Sequence, residues 1–356
     1  MTYQELVSLS KEQALAVRQA EACLRRSPRA QALLRKEAEN LTTPQGSGGI
    51  LADMEELRGL YEGNAHLHAL LTLLSQVPWL RAEYERRGLP ESVLRATLLD
   101  IPIWMEACRE KTGAYGLIEY SWLVHTFRLK LFRIGRLEFM RGAGTMPAHV
   151  FKAADGRLIA LAPEGMRYAP EGIADGANGI FSPEAWTARY DEDADQIRGH
   201  VISTDGRAAR EIETFPAQDL RRVYRPGDPV LEVHIPSGEP LAPEKAFEAM
   251  RAAPGFFRAH FSHDDMHLFT CESWLMDGAL REAFPGGNIG AFQDLFARVP
   301  FAGDDRQTIE RVFGFNAQSV PQTPQGNRLQ RGIIDLYRRG GRCCEAYGYR
   351  TVGAYI

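Results

Sequence analysis

Three short segments carry side chains whose types and spacing suit acyl or proton transfer. In VLEVHIP, residues 230–236, Glu232 and His234 stand two apart on a strand-like run and so face the same way. A carboxylate beside an imidazole can take a proton from an attacking amine, the service a general base gives to acyl transfer. A strand whose polar side is simply solvated or paired reads the same. In CESWLMD, residues 271–277, Cys271 and Ser273 alternate with Glu272 towards a turn at Asp277. A nucleophilic Cys271 needs a base to lower its pKa, and His234 on a neighbouring strand is the candidate; the competing reading is a small core residue. Trp274 is either a packing residue or a substrate platform. In GRLEF, residues 135–139, Arg136 and Glu138 also share a face. They orient a substrate, or they form an ion pair across neighbouring strands.

The other histidine-rich places read differently. HFSHDDMH places His260, His263 and His267 around Asp264 and Asp265, a donor set that suits a metal. A helix ending before Ser262 and a strand starting near Met266 would break the shared face, so no metal is expected. A metal-dependent hydrolase stays as a rival reading of that loop. His66 and His68 point in different directions on a helix. Arg128, Lys130, Arg133, Arg136 and Arg141 form the strongest local positive charge, which reads as a phosphate lure or, more commonly, as a solvated surface. Cys343 and Cys344 are adjacent, and a strained vicinal disulfide between them is not expected.

Composition bounds the answer. The 356 residues are 44% hydrophobic and 25% charged, the balance of a chain that buries a core, and at this length two domains are the natural expectation. Lys+Arg 42 against Asp+Glu 46 gives a formal charge of −4, without the concentrated basic face that nucleic-acid binding wants. Five cysteines without CxxC spacing argue against a disulfide framework or structural zinc and for a reducing compartment. The N-terminus lacks the apolar core of a signal peptide, and no run approaches the roughly 18 apolar residues of a membrane span. A cytoplasmic protein is expected; its oligomeric state is not legible.

The elements that must position these residues fall into two kinds. Residues 1–130 read as helices: a capping box at Ser10–Gln13, a restart at Ser27-Pro28, a flexible TTPQGSGG, a helix opened by Pro90, a cap at Asp100, a stop at Gly113, and a last helix from Ile118 to about Phe127. At KLFRIGRLEFM the period shifts towards two, with a bulge expected at Gly135. Strands are expected at HVFKA, RLIALA, GHVISTD and AREIETF. Residues 163–196 read as a long loop with a short helical piece near Pro183. Then VLEVHIP, the helix PEKAFEAMRAAPGFFRAHF, the strand MHLFTCES, the helix IGAFQDLFARV, a strand at ERVFGF and the helix QGNRLQRGIIDLYRRG imply parallel neighbours with covering helices. The expected class is α+β: an all-helical domain over 1–130 followed by a mixed α/β domain over 131–356.

GRLEF, VLEVHIPSGEPL, CESWLMD and the late NRLQR together resemble a bacterial family of acyltransferase domain-containing proteins. In that family a helical N-acyltransferase domain precedes a C-terminal domain similar to the GNAT acyltransferases. The resemblance implies a GNAT-like fold, an acyl-CoA co-substrate, and an amine or similar small-molecule acceptor, with no membrane or nucleic-acid partner. It implies that amides in a glycine-rich turn after the strand hold the cofactor's diphosphate. Here that turn reads PSGEPLAPEK, which offers Ser237 and Gly238 but also carries Glu239 and three prolines without an N–H. The strands at 230–235 and 267–273 are then expected to splay and admit the donor. A binding module on the same fold, holding a small ligand or peptide without turnover, stays open as the alternative.

Overall fold

Helices in the first third start where a side chain can take over the orphan amides of a first turn. The Ser10 hydroxyl accepts from the Gln13 N–H and the Gln13 side chain returns to the Ser10 N–H, opening α1 (Lys11–Arg26); Ser27 caps α2 (Pro28–Thr42), where Pro28 has no N–H to waste. α3 (Met54–Leu60), α4 (His66–Arg87), α5 (Glu91–Leu98), α6 (Asp100–Thr112) and α7 (Tyr120–Phe127) follow. α4 is apolar on most of its circumference and buries Leu67, Leu70, Leu71, Leu73, Leu74, Val77 and Leu80. Such a helix has to be surrounded, and α1, α2, α5 and α7 pack around it. Gly113 ends α6 in a left-handed turn at φ 82°, as its position predicts.

The structure, a computed structural model, describes residues 3–43, 46–261, 266–323 and 326–355. The chain divides into two units, Met1–Phe139 with Ile235–Glu239, and Met140–His234 with Pro240–Ile356. The first unit closes with β1 (Leu131–Ile134) and the opening of β2 (Leu137–Ala143). Gly135, expected to be a bulge, is instead the first residue of a two-residue hairpin turn, at φ 61°. Arg136 is the second, so it sits in the turn and not on the strand.

The second unit continues with β3 (His149–Ala153), β4 (Leu158–Leu161), β5 (Arg167–Tyr168), β6 (Trp186–Thr187), β7 (Tyr190–Glu192), β8 (Gln196–Ile202), β9 (Ala208–Pro216) and β10 (Leu220–Tyr224). Then come β11 (Pro229–His234), α8 (Pro243–His260), β12 (Leu268–Ser273), α9 (Gly278–Ala283), α10 (Asn288–Gln293), β13 (Ala297–Pro300), α11 (Arg306–Phe313), α12 (Arg328–Arg338) and β14 (Ala346–Thr351). One sheet runs β10-β3-β4-β8-β7 with β9 on β8; in the other, β11 is followed by β12, β14 and β13. The sheets meet through alternate residues: Val230, Leu268, Val299, Tyr347 and Tyr349 from one, Val150, Ala160, Ile202 and Tyr224 from the other. On the opposite face the Arg350 guanidinium lies over the Phe247 ring of α8 at 5.9 Å.

Two expected elements differ. ERVFGF is not a strand but the second half of α11, because Thr308, Ile309 and Val312 recur at helical spacing on the buried face. Pro183 itself is not helical; the short helical piece of this segment is a 3-10 turn at Ala177–Gly179, between strands whose pairing sets Tyr168 opposite Trp186. The helix IGAFQDLFARV is shorter than its pattern suggests, since its last residues turn into β13. No helix among the described residues is long and apolar enough to cross a membrane.

Candidate functional site

The register of β11 and β12 decides which side chains can meet. The two strands are parallel, with Leu231 opposite Phe269 and Glu232 opposite Thr270. β12 is antiparallel to β14, with Thr270 opposite Tyr349, Cys271 opposite Gly348 and Glu272 opposite Tyr347. Opposed residues share a face and neighbours along a strand alternate. Glu232, His234, Thr270, Glu272, Tyr347 and Tyr349 therefore belong to one face. Cys271 and Ser273 belong to the other.

On the first face His234 Nε2 lies 3.4 Å from Glu232 Oε2, each side chain a little over a quarter exposed. The parallel ladder reaches Glu232, and Val233 and His234 run past it. Glu232 lies over Gly142, whose lack of a side chain makes room for it: a Cβ there would come within 2.1 Å of Glu232 Oε1. Two strands away, the Tyr347 hydroxyl donates to Glu272 Oε2 at 2.6 Å and lies 3.0 Å from Thr145 Oγ1. Burial raises the Tyr347 pKa, and the Glu272 hydrogen bond raises it further, so the phenol keeps its proton. The face thus presents a carboxylate–imidazole pair and a second carboxylate fixed by a phenol.

The candidates from GRLEF and the turn after β11 lie together in the first unit, in a buried charged cluster. Arg136 is 4% exposed, and its guanidinium donates to the Pro236 carbonyl at 2.8 Å and the Glu239 carbonyl at 2.7 Å. It brackets the turn containing Ser237 and Gly238, with Gly238 at φ 100° where a side chain is strained. Arg136 was expected to touch substrate or to pair with a charge on a neighbouring strand; the structure sets its guanidinium on two backbone carbonyls, with the Glu239 and Glu138 charges nearby. Glu138 is 2% exposed and shares a hydrogen bond with Asp100, which also accepts from Trp122 Nε1 at 3.1 Å. Two carboxyls can bond only if one carries the proton. Burial, and then the Asp100 charge, push Glu138 well above the usual carboxylate range. A group so enclosed is not placed to reach a substrate. Asp100, read as a helix cap, is spent on this pair, and α6 begins without a side-chain cap. The arginine run is not the solvated surface favoured from sequence: Arg133 and Arg136 are both buried.

Residues 131–350 match the family described as the GNAT-like C-terminal domain. The chain belongs to that family. Residues 2–129 match the N-acyltransferase N-terminal domain, so the resemblance carried by GRLEF, VLEVHIPSGEPL and CESWLMD holds across both parts of a GNAT-like chain. None of the curated proteins is significantly similar in sequence. Among solved structures, an acyltransferase in complex with decanoyl-CoA and teicoplanin superposes with a TM-score of 0.61 at 20% identity, over 97% of this chain and 89% of that one. An acyltransferase with CoA and 10C-teicoplanin gives 0.59, also at 20% identity and over 97% and 89%. A third, with decanoyl-CoA alone, gives 0.58 at 19% identity over 98% and 92%. At these identities the likeness is one of fold.

Within this GNAT-like frame the remaining candidates are corrected. Cys271 cannot take His234 as its base, because the register turns the two side chains to opposite faces. Cys271 is fully buried and its thiol is pushed up to about 12, so it is a core residue. The Ser273 hydroxyl accepts from the Leu275 N–H at 3.1 Å, capping the short turn that carries Trp274, and Trp274 packs beside Leu280 and Ile333. The loop reading with His263, Asp264 and Asp265 lies outside the described residues. Among the described residues no group of three or more His, Cys, Asp or Glu could hold a metal. Sequence reasoning missed Tyr347 and Glu272. Both were in view, Glu272 between two favoured residues and Tyr347 in EAYGYRT, but only the β12–β14 register puts them side by side.

Proposed function

We propose that this chain moves an acyl group from an acyl-CoA thioester to an amine or similar acceptor, with Glu232 and His234 as the general base. The observation that carries this is the 3.4 Å pair near the end of β11, its side chains a little over a quarter exposed, on a strand that outruns its parallel partner. The amine nitrogen attacks the thioester carbonyl, its proton passes to the imidazole supported by Glu232, and a C–N bond forms. The C–S bond then breaks, and CoA leaves as the thiolate and recovers a proton. A base of this kind accounts for roughly 10²–10⁴ in rate. The Tyr347–Glu272–Thr145 arrangement, on the same face, fixes a second negative charge that attracts a cationic acceptor before it loses its proton.

The turn after β11 fits the donor. Among the described residues the Ser237 and Gly238 amides have no partner within the chain. A trans peptide points its N–H opposite to its C=O, so the Pro236 carbonyl on Arg136 aims the Ser237 N–H away from that guanidinium. That amide is then available to a phosphate. The solved acyltransferases that share the fold hold CoA or a CoA thioester, which supports the same donor here. None of the five cysteines is paired, which suits a reducing cytoplasm.

Isothermal titration of the purified chain with CoA, acetyl-CoA and longer acyl-CoA thioesters tests the donor. Micromolar binding supports it and opens a screen of amine acceptors. Absence of binding to every thioester would leave a shared fold without the chemistry. The base is tested by E232Q and H234Q, which should bind donor normally and transfer slowly.

A further inference from the structure

The turn that offers Ser237 and Gly238 also carries a carboxylate, Glu239, in the place where a phosphate receptor should avoid one. The structure shows where that charge goes. Glu239 Oε1 lies 3.8 Å from Arg133 Nη2, with the Glu239 side chain half exposed and the Arg133 side chain 4% exposed. This is a loose pair, near the outer limit of an ion pair, for a guanidinium so well enclosed. Arg133 is otherwise unfinished: its Nη1 is buried and has no hydrogen-bond partner among the described residues. A buried donor left without an acceptor is rare in folded chains and calls for an occupant. A nearby buried acceptor without a partner, Glu138 Oε1, makes no hydrogen bond to it. Asp100 and Glu138 lie close enough to Arg133 to feel its charge, yet burial pushes both towards the protonated form, and the Asp100 charge pushes Glu138 further. Arg136, the second buried guanidinium, is occupied by the two carbonyls that bracket the turn.

We propose that Arg133 is an anion-binding residue for the donor's diphosphate, and that the Glu239 carboxylate is its exchangeable resident counter-ion, displaced when phosphate arrives. The assignment rests on the acyl-CoA reading for the identity of the ligand, and on the Arg133 geometry for the site itself. The division of labour follows from geometry. Arg136 never leaves the backbone; it fixes the turn and polarises the peptide whose N–H faces outward. Arg133 holds a half-exposed partner at long range and keeps one N–H in reserve. A phosphate offers several acceptor oxygens in the fork geometry that a guanidinium matches, so it can satisfy both Nη1 and Nη2 where the carboxylate reaches one. Glu239, half in water already, can turn its carboxylate outward while its charge still faces Arg136. Donor affinity is accordingly set by competition inside the chain, and Glu239 keeps Arg133 neutralised when no donor is bound.

The test uses the full chain and its E239Q variant, a substitution at a half-exposed side chain that leaves the backbone carbonyl on Arg136 intact. Calorimetric titration at low salt is made with three probes: CoA, inorganic diphosphate, and S-acetyl-pantetheine, which keeps the thioester arm and lacks the diphosphate. E239Q should bind CoA and diphosphate about three- to fivefold tighter, the scale of a half-exposed ion pair, with the gain shrinking in high salt. S-acetyl-pantetheine should bind both proteins alike. Equal CoA affinity in the two proteins would overturn the role of Glu239 and Arg133 while leaving the transferase reading in place. Equal tightening for S-acetyl-pantetheine would also overturn it, since the effect would not involve phosphate. Tighter diphosphate binding by E239Q without CoA binding to either protein would uphold the anion site and sink the acyl-CoA reading. No binding of diphosphate or CoA to either protein would overturn both. R133Q is the complementary variant; where it folds, adding E239Q to it should bring no further gain.

Discussion

Arg136 with Glu138, and Glu232 with His234, are the same feature in sequence: a charged pair two residues apart at a strand. Their fates are opposite. Arg136 and Glu138 lie almost wholly covered, one clamped on two carbonyls and the other sharing a proton with Asp100. Glu232 is the last rung of its parallel ladder and His234 stands beyond it, each more than a quarter exposed and 3.4 Å apart. Spacing fixes which residues face together, but the next layer decides whether they meet solvent or protein. A buried ionic cluster fixes backbone geometry; the part-exposed pair is the one proposed to do chemistry.

The comparison can be broken most directly by removing the clamp. R136A should cost about 2–4 kcal/mol, because it strands the buried Pro236 carbonyl and the part-buried Glu239 carbonyl and removes a cation that faces the buried Glu138. Urea denaturation of the variant measures this, and a loss below 1 kcal/mol would show that the cluster does not hold the turn. At the rim the ordering reverses. E232Q and H234Q should change stability by less than about 1 kcal/mol yet slow transfer by about 100-fold or more, read as initial rates at saturating donor. Gly142 joins the two effects. G142A puts a Cβ where the end of the flexible Glu232 side chain lies, so it should cost less than about 1 kcal/mol yet lower the transfer rate by displacing the carboxylate.

The smallest effect is a pH dependence. Glu138 and Asp100 are both raised in the folded state, so the native chain binds more protons than the unfolded one above the ordinary carboxylate range. Stability from this pair is therefore fullest below about pH 4 and falls as pH rises towards the folded pKa of Glu138. E138Q, whose amide can donate to Asp100 without a titrating proton, should flatten that slope in thermal melts taken across pH. Each unit between folded and unfolded pKa corresponds to about 1.4 kcal/mol. An unchanged slope would mean that the two carboxyls do not share a proton.

Much of the frame was legible because local chemistry dictates it. The box at Ser10 and Gln13, the proline at the head of α2 and the left-handed stop at Gly113 are short-range events that the sequence states outright. The strand–helix–strand order around α8 gave the parallel β11–β12 pair. What was not legible depended on register and on the second layer. The face shared by Glu232, Glu272 and Tyr347 needs the β12–β14 pairing, and nothing in CESWLMD says that Cys271 turns the other way. Arg133 and Arg136 read as surface because a run of arginines carries no sign of the carbonyls that await it. ERVFGF failed for a different reason, a short apolar run that fits either period.

The Arg136 clamp also has a history in time. Its two carbonyl acceptors lie 100 and 103 residues further along the chain. At a synthesis rate of about 5–20 residues per second, they leave the ribosome roughly 5–20 seconds after the arginine does. Throughout that interval the helical part carries a guanidinium with nowhere dry to go. Its final closure is thus timed by the emergence of the very turn proposed to receive the donor, so a nascent chain cannot complete its first unit before that turn exists.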